Sequence, residues 1–388
     1  MNKLAAEVSA APAVASPRPT APSTPRRYPR AVRNWLIAGL VLIFVQVIVG
    51  GITRLTGSGL SITKWEIVTG TLPPLNAEQW AGEFDLYKAT PQYAKMNDGM
   101  SMADFKFIYF WEYFHRLWAR LMGFAFVIPL VYFLAKGYID RALGKRLALV
   151  FAAAALTASF GWIMVASGLI ERPLVNAYKL SMHLGIAFTT FGILLWTTFW
   201  VAGTRLSAKP TPRLRKLVYW TMGVLAVQIL LGGMMSGMKA ALFYPTWPDI
   251  GGEAIPSILF DGGNWTLQNV IDYDRTPFMS ALVHVLHRST AYLVAALIAL
   301  AFWWARRDRA QPRLRAAVAL ATLLMLVQVA LGIGTVVLSK GAIPVGWGVA
   351  HQGVGLLLLA AVLWEVWLMR SGRATPRSPR TTPAVARR

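Results

Sequence analysis

Eight stretches of this chain are apolar over about the twenty residues that a helix needs to cross a bilayer. They are 34–53, 113–135, 147–170, 179–202, 216–237, 280–304, 315–338 and 346–369. A backbone inside hydrocarbon must satisfy its own hydrogen bonds, so runs of this length fold as helices. The composition agrees: 56% hydrophobic and only 14% charged residues is membrane-protein usage. The second run is the least apolar, because Glu112, His115, Arg116 and Arg120 crowd its start.

The net charge of +22 is unevenly distributed. With the N-terminus inside, the tails and the loops after the second, fourth and sixth runs hold 26 of the 39 Lys and Arg. The opposite segments hold ten Lys and Arg against thirteen Asp and Glu. This positive-inside pattern puts both termini in the cytoplasm. The basic tails read as topology signals and anionic-lipid contacts, with no nucleic-acid partner expected. Residues 1–33, rich in Ala and Pro with five arginines, read as a disordered cytoplasmic tail. They lack the apolar core of a cleaved signal, and their prolines argue against an amphipathic mitochondrial leader. A bacterial inner membrane is therefore expected in preference to a mitochondrial one. The absence of cysteine excludes disulfides, thiolate metal sites and cysteine nucleophiles.

An internal repeat organises the runs. "FVQVIVGGI" from Phe44 matches "AVQILLGGM" from Ala226, and "FHRLWARLMG" from Phe114 matches "LHRSTAYLVA" from Leu286. "MHLGIAF" from Met182 matches "HQGVGLL", with His183 aligned to His351. The expected fold is thus an all-α integral membrane protein of eight transmembrane helices. They form two four-helix bundles related by a pseudo-two-fold axis along the membrane normal. The halves are 34–204 and 205–370, followed by a basic tail at 371–388. Gly50-Gly51 and Gly232-Gly233 read mainly as helix-packing positions. The long segments 54–111 and 238–279 read as a cap over the outer face.

Four of the five histidines, His115, His183, His287 and His351, occupy equivalent places in the two halves. Each is expected one or two turns past its helix start, and so at one depth. Neutral imidazole is a good axial ligand for haem iron, which takes one ligand on each porphyrin face. The pairs would be His115 with His183 and His287 with His351. Arg116 and Arg288, each following a histidine, are candidate partners for haem propionates. Zinc fits less well, since no Asp, Glu or Cys completes a four-ligand set in both halves. Glu112 stands three residues before His115, and its counterpart before His287 is His284. A carboxylate beside a porphyrin could accept protons, steady positive charge or position water. The alternative for Glu112 is a plain ion pair with Arg116 or Arg54, and for His284 a polar contact at the outer boundary.

These motifs resemble those of the haem A synthases. "GGITRLTGSGLSITKW" (Gly50–Trp65) and "GTLPP" (Gly70–Pro74) are similar to the family signature after the first helix. "EYFHR" (Glu112–Arg116), "MHLG", "HRSTAY" and "HQGVG" are similar to its four histidine motifs, and "YPTWPDIGG" (Tyr244–Gly252) to its outer loop. The resemblance covers about 34–369 and, lacking cysteine, points to the cysteine-free class. It implies oxidation of the C8 methyl of haem O to a formyl group by successive hydroxylations, giving haem A for terminal oxidases. By it, His115 and His183 hold the substrate haem, His287 and His351 hold a haem b cofactor, and Glu112 is the catalytic residue. Arg54, Arg116 and Arg288 are the candidate propionate contacts, and His284 lies over the haem b edge or faces the cap. Haem O synthase and oxidase assembly factors are partners by pathway logic only. Two other readings use the same residues: a di-haem b cytochrome that only relays electrons, and a transporter built from parallel repeats.

Overall fold

The computed structural model describes residues 28–64, 69–169, 173–203 and 210–370. The expected tails at 1–27 and 371–388, and Trp65 of the first loop motif, lie outside the described residues. Among the described residues there are eleven α-helices. The first six are α1 (Arg30–Leu55), α2 (Ala77–Lys88), α3 (Pro91–Met96), α4 (Met102–Ala135), α5 (Arg141–Gly168) and α6 (Ala177–Ala202). The others are α7 (Pro212–Gly237), α8 (Leu267–Ile271), α9 (Phe278–Arg307), α10 (Pro312–Val337) and α11 (Val345–Met369). All but α2, α3 and α8 are long and apolar enough to cross a membrane, so the chain is an integral membrane protein, with eight spans among the described residues.

All eight contain their apolar runs to within two residues. The helix that extends furthest beyond its run is α4, which begins at Met102, well before the apolar run at 113. Asp104, Lys106 and Glu112 depress the hydropathy there, but the first turn is well capped. The Ser101 hydroxyl accepts from Asp104 N and donates to its carboxylate at 2.6 Å. This corrects one expectation: His115 lies almost four turns into its helix, and His287 about two and a half, rather than one or two.

In the N-terminal half α1 packs on α4 and α6, and α5 on α6. In the C-terminal half α7 packs on α9 and α11, and α10 on α11. The halves meet where α6 touches α7, α1 touches α11, and α6 touches α11. One pair breaks the correspondence: α9 packs against α10, whereas α4 and α5 barely touch. A central cluster drawn from both halves includes Val47, Phe188, Phe191, Leu225, Val294, Met325 and Leu356.

Lipid is as apolar as leucine, so close van der Waals packing and interhelical hydrogen bonds must hold such a bundle. Glycines make that approach possible at the seam. A Cβ on Gly233 would stand 2.7 Å from Ser181 Cα, and one on Gly51 would meet Gln352 Oε1 at 3.2 Å. Across the same seam Ser181 Oγ donates to the Leu230 carbonyl at 2.6 Å, and Gln352 Nε2 to the Val47 carbonyl at 2.8 Å. The segments expected to form a cap pack on the two long helices. Phe84 and Tyr87 bury against Phe105 and Tyr109 of α4, and Met238, Leu259 and Tyr273 against Phe278 and Met279 of α9.

Candidate functional site

Each of the four repeated histidines stands against a glycine of a neighbouring helix. A Cβ on Gly50 of α1 would lie 3.0 Å from His115 Nε2, and one on Gly161 of α5 3.1 Å from His183 Cε1. In the other half, a Cβ on Gly232 of α7 would lie 3.3 Å from His287 Cε1, and one on Gly332 of α10 2.9 Å from His351 Cε1. The two Gly-Gly pairs therefore split their work. Gly50 and Gly232 make room for a histidine of their own half, while Gly51 and Gly233 make room for the opposite half. Packing, the expectation for these glycines, accounts for one member of each pair.

The glycines also bare the backbone. A helical Cβ leans toward the N-terminus and screens the carbonyl one turn earlier. Without it, His183 Nδ1 reaches the Thr157 carbonyl at 3.0 Å, four residues before Gly161. His351 Nδ1 reaches the Gln328 carbonyl at 3.1 Å, four before Gly332. A carbonyl only accepts, so the proton is on Nδ1 and the lone pair on Nε2, the arrangement of a metal-ligating imidazole. His287 has the Gln228 backbone beside it, four residues before Gly232, though its Nδ1 makes no well-formed hydrogen bond. In the C-terminal half the amide nitrogens of Gln228 and Gln328 lie 3.3 and 3.4 Å from Nε2 of His287 and His351. The position of Gln328 is Thr157 in the other half, and Gln46, the counterpart of Gln228, donates instead to the His115 carbonyl at 3.2 Å.

The ring centres of His287 and His351 are 6.5 Å apart. Two metal–imidazole bonds of about 2 Å with half a ring on either side need roughly 6 Å, so this pair fits axial ligation of one iron. His115 and His183 also lie within electrostatic range of each other. Among the described residues no group of three or more His, Asp or Glu converges as a mononuclear metal site.

Glu112 is buried, 3% exposed, and fully engaged. Its Oε2 accepts from Ser61 N at 2.7 Å, Ser61 Oγ at 2.8 Å and Ile62 N at 2.9 Å, and Oε1 from Arg116 Nη2 at 2.6 Å. Arg116 also donates to the carbonyls of Ile62 and Lys64 at 3.1 and 3.0 Å. The pair thus clamps the loop that follows α1. Arg288 does the same in the other half, donating to the carbonyls of Thr246 and Asp249 at 2.6 and 2.7 Å. Both arginines grip cap backbone in this structure. Arg54 lies at the seam, where Nη2 donates to the Ser236 and Gly237 carbonyls at 2.6 and 3.1 Å, complementing the C-terminal end of α7. A cavity of about 500 Å³ beside Arg116 is lined by Lys64, Tyr109, Tyr113 and Arg120.

His284 faces the cap. It is fully buried, edge-on to Tyr244 at 5.8 Å and close to the Ala240 backbone, with neither ring nitrogen in a well-formed hydrogen bond. Beyond Glu112 and the histidines, the site enlists residues that the sequence reading passed over: Ser61, Thr157, Gly161, Gln228, Gln328 and Gly332. For the last two glycines a signal existed, since aligning α5 with α10 superposes them.

The family model for the cytochrome oxidase assembly proteins COX15-CtaA matches residues 33–363. The chain is 40% identical over 367 residues to a haem A synthase of Bradyrhizobium diazoefficiens, covering 94% of this chain and 98% of that one. It is 40% identical over 339 residues to one of Parvibaculum lavamentivorans (87% and 93% covered), and 38% identical over 359 residues to one of Rhodospirillum centenum (91% of each).

Proposed function

Because the chain belongs to the COX15-CtaA family of cytochrome oxidase assembly proteins, we propose that it is an oxidoreductase that converts haem O to haem A. The single observation that carries this reading is the doubled histidine seat: two pairs of imidazoles, each ring set against a helix glycine, in one chain. The C8 methyl of haem O is the group oxidised, by successive hydroxylations to a formyl, and the product serves terminal oxidases. The site of action is a bacterial inner membrane, with both termini on the cytoplasmic side and a pseudo-two-fold axis relating the halves.

In this reading His287 and His351 hold a haem b and His115 and His183 hold the substrate. Haem b, when bound, supplies one-electron transfer. The carbonyls of Thr157 and Gln328 fix the tautomers of His183 and His351, which would leave Nε2 of each to hold a haem iron. Glu112 serves the N-terminal half as a fixed negative charge one turn from His115. Four donors already occupy its oxygens, which favours steadying positive charge over accepting a proton. Arg116 and Arg288 hold the cap loops down over the two sites, and Arg54 ties α1 to α7. Haem O synthase and oxidase assembly factors are the partners this chemistry calls for.

The test is to co-express the full chain with a haem O synthase, purify it and identify its haems by chromatography. Haem b together with haem O, a hydroxylated form or haem A is the expected result. Haem b alone, with haem O available, would make the protein an electron-relay cytochrome. Well-folded protein without haem would overturn the histidine assignment.

A further inference from the structure

The two halves differ most at one helix pair. In the C-terminal half α9 and α10 are packed together, whereas their counterparts α4 and α5 barely touch. Along their most apolar stretches only 6% of the residues of α4 and of α5 are buried, against 17% for α9 and 22% for α10. The sequence supplies the cause. Aligning Gly161 with Gly332 sets Ala152, Ala153, Ala154 and Ala155 of α5 against Leu323, Leu324, Met325 and Leu326 of α10. The repeat likewise sets Gly123 of α4 against Ala295 of α9. Met325 is 6% exposed in the central core, and Ala295 packs against the same cluster. Ala154 and Gly123 are both exposed, and a Cβ on Gly123 would meet nothing within 4 Å.

The separation is confined to part of the helices' length. Near the turn that joins them, Phe133 of α4 buries with Leu143, Leu147 and Val150 of α5. Beyond Val150, toward the cap, α5 continues with four alanines, Ala152 to Ala155, and then reaches Gly161, on which the His183 ring sits. Arg116, Arg120 and Gly123 follow one face of α4 at the spacing of neighbouring turns. Arg116 and Arg120 line the cavity beside the cap with Lys64.

The geometry points to a lateral portal between α4 and α5, through which the substrate porphyrin passes between the bilayer and the N-terminal site; this rests on the assignment of that half to haem O. An apolar macrocycle with two carboxylates suits such an opening, because its ring can travel in hydrocarbon while the acids meet the cations at the cap end. The closed α9–α10 seam suits a group that stays. The route thereby separates an exchanging haem from a resident one on a single repeated scaffold.

The experiment measures uptake of haem O from phosphatidylcholine vesicles by the full chain in nanodiscs, followed by the Soret change. One variant copies the closed half, Gly123→Ala with Ala154→Met. A second carries Gly123→Cys and Ala154→Cys joined by a reducible bifunctional thiol reagent, which finds no other cysteine in the chain. The portal predicts severalfold slower uptake in both with the same final amount bound, unchanged haem b content, and recovery when the cross-link is reduced. Wild-type uptake rates in the cross-linked protein and in the filled variant would overturn it. No uptake by the wild type would overturn the substrate assignment beneath it, a different failure from an unaltered rate.

Discussion

One turn before the first histidine of each pair, the N-terminal half has Glu112 and the C-terminal half has His284. The carboxylate is held by four donors and pins the loop after α1, while the imidazole lies buried against Tyr244 with no well-formed hydrogen bond. One turn before the glycine that seats the second histidine, the residues are Thr157 and Gln328. On α5 four alanines, Ala152 to Ala155, stand where α10 carries Leu323, Leu324, Met325 and Leu326. The seats themselves do not change: an imidazole on a glycine occurs four times. What this teaches is that the repeat preserves the imidazole–glycine contact and varies the surroundings, which in the proposed function lets one kind of seat serve two different occupants.

The largest effect should come from removing seats selectively. His287→Ala or His351→Ala is expected to abolish the haem retained on purification. His115→Ala or His183→Ala should leave that haem in place and eliminate haem A formation, as read by absorption spectra and extracted haems. Equal loss of retained haem from both pairs would break the division of labour. A smaller effect separates Glu112 from His284. Glu112→Gln leaves the part-buried Arg116 without its counter-charge and should cost about 1–3 kcal/mol in stability. His284→Leu removes an unsatisfied polar group and should be neutral or stabilise by about 1 kcal/mol. Thermal unfolding of the full chain checks both, and a destabilised His284→Leu would show that the imidazole has a partner to lose.

The smallest effect concerns the glycine seats. Gly332→Ala would bring a methyl to 2.9 Å from His351, and Gly161→Ala to 3.1 Å from His183. Each should cost about 1–3 kcal/mol by overpacking. Gly332→Ala should also move the electron paramagnetic resonance signature of the retained haem, whereas Gly161→Ala should leave it unchanged. Gly223→Ala, in open space on α7, is the control for helix glycines in general.

Each of the eight apolar runs lies inside its helix to within two residues, because a helix in hydrocarbon must be apolar over a fixed length. The start of α4 escaped that rule. Its early turns are amphipathic and lie against the cap, where hydropathy carries no signal; the Ser101–Asp104 cap was the available clue. The four histidines were likewise legible, since a repeat that keeps an ionisable group twice in apolar surroundings singles it out. Arg54 shows the limit: its charge was plain, but its partners are carbonyls of α7, some 180 residues away in sequence.

The sequence by itself therefore determined the number of spans, the doubling of the chain and the candidate ligands, all properties of local composition and of self-similarity. Only the tertiary structure decided that Gly50 and Gly232 seat imidazoles while their neighbours join the halves, that Arg116 and Arg288 hold loops, and that one helix seam is closed and its counterpart open. Those outcomes depend on which backbone comes within about 4 Å of which side chain, and contacts between helices far apart in the chain leave no periodic trace in it.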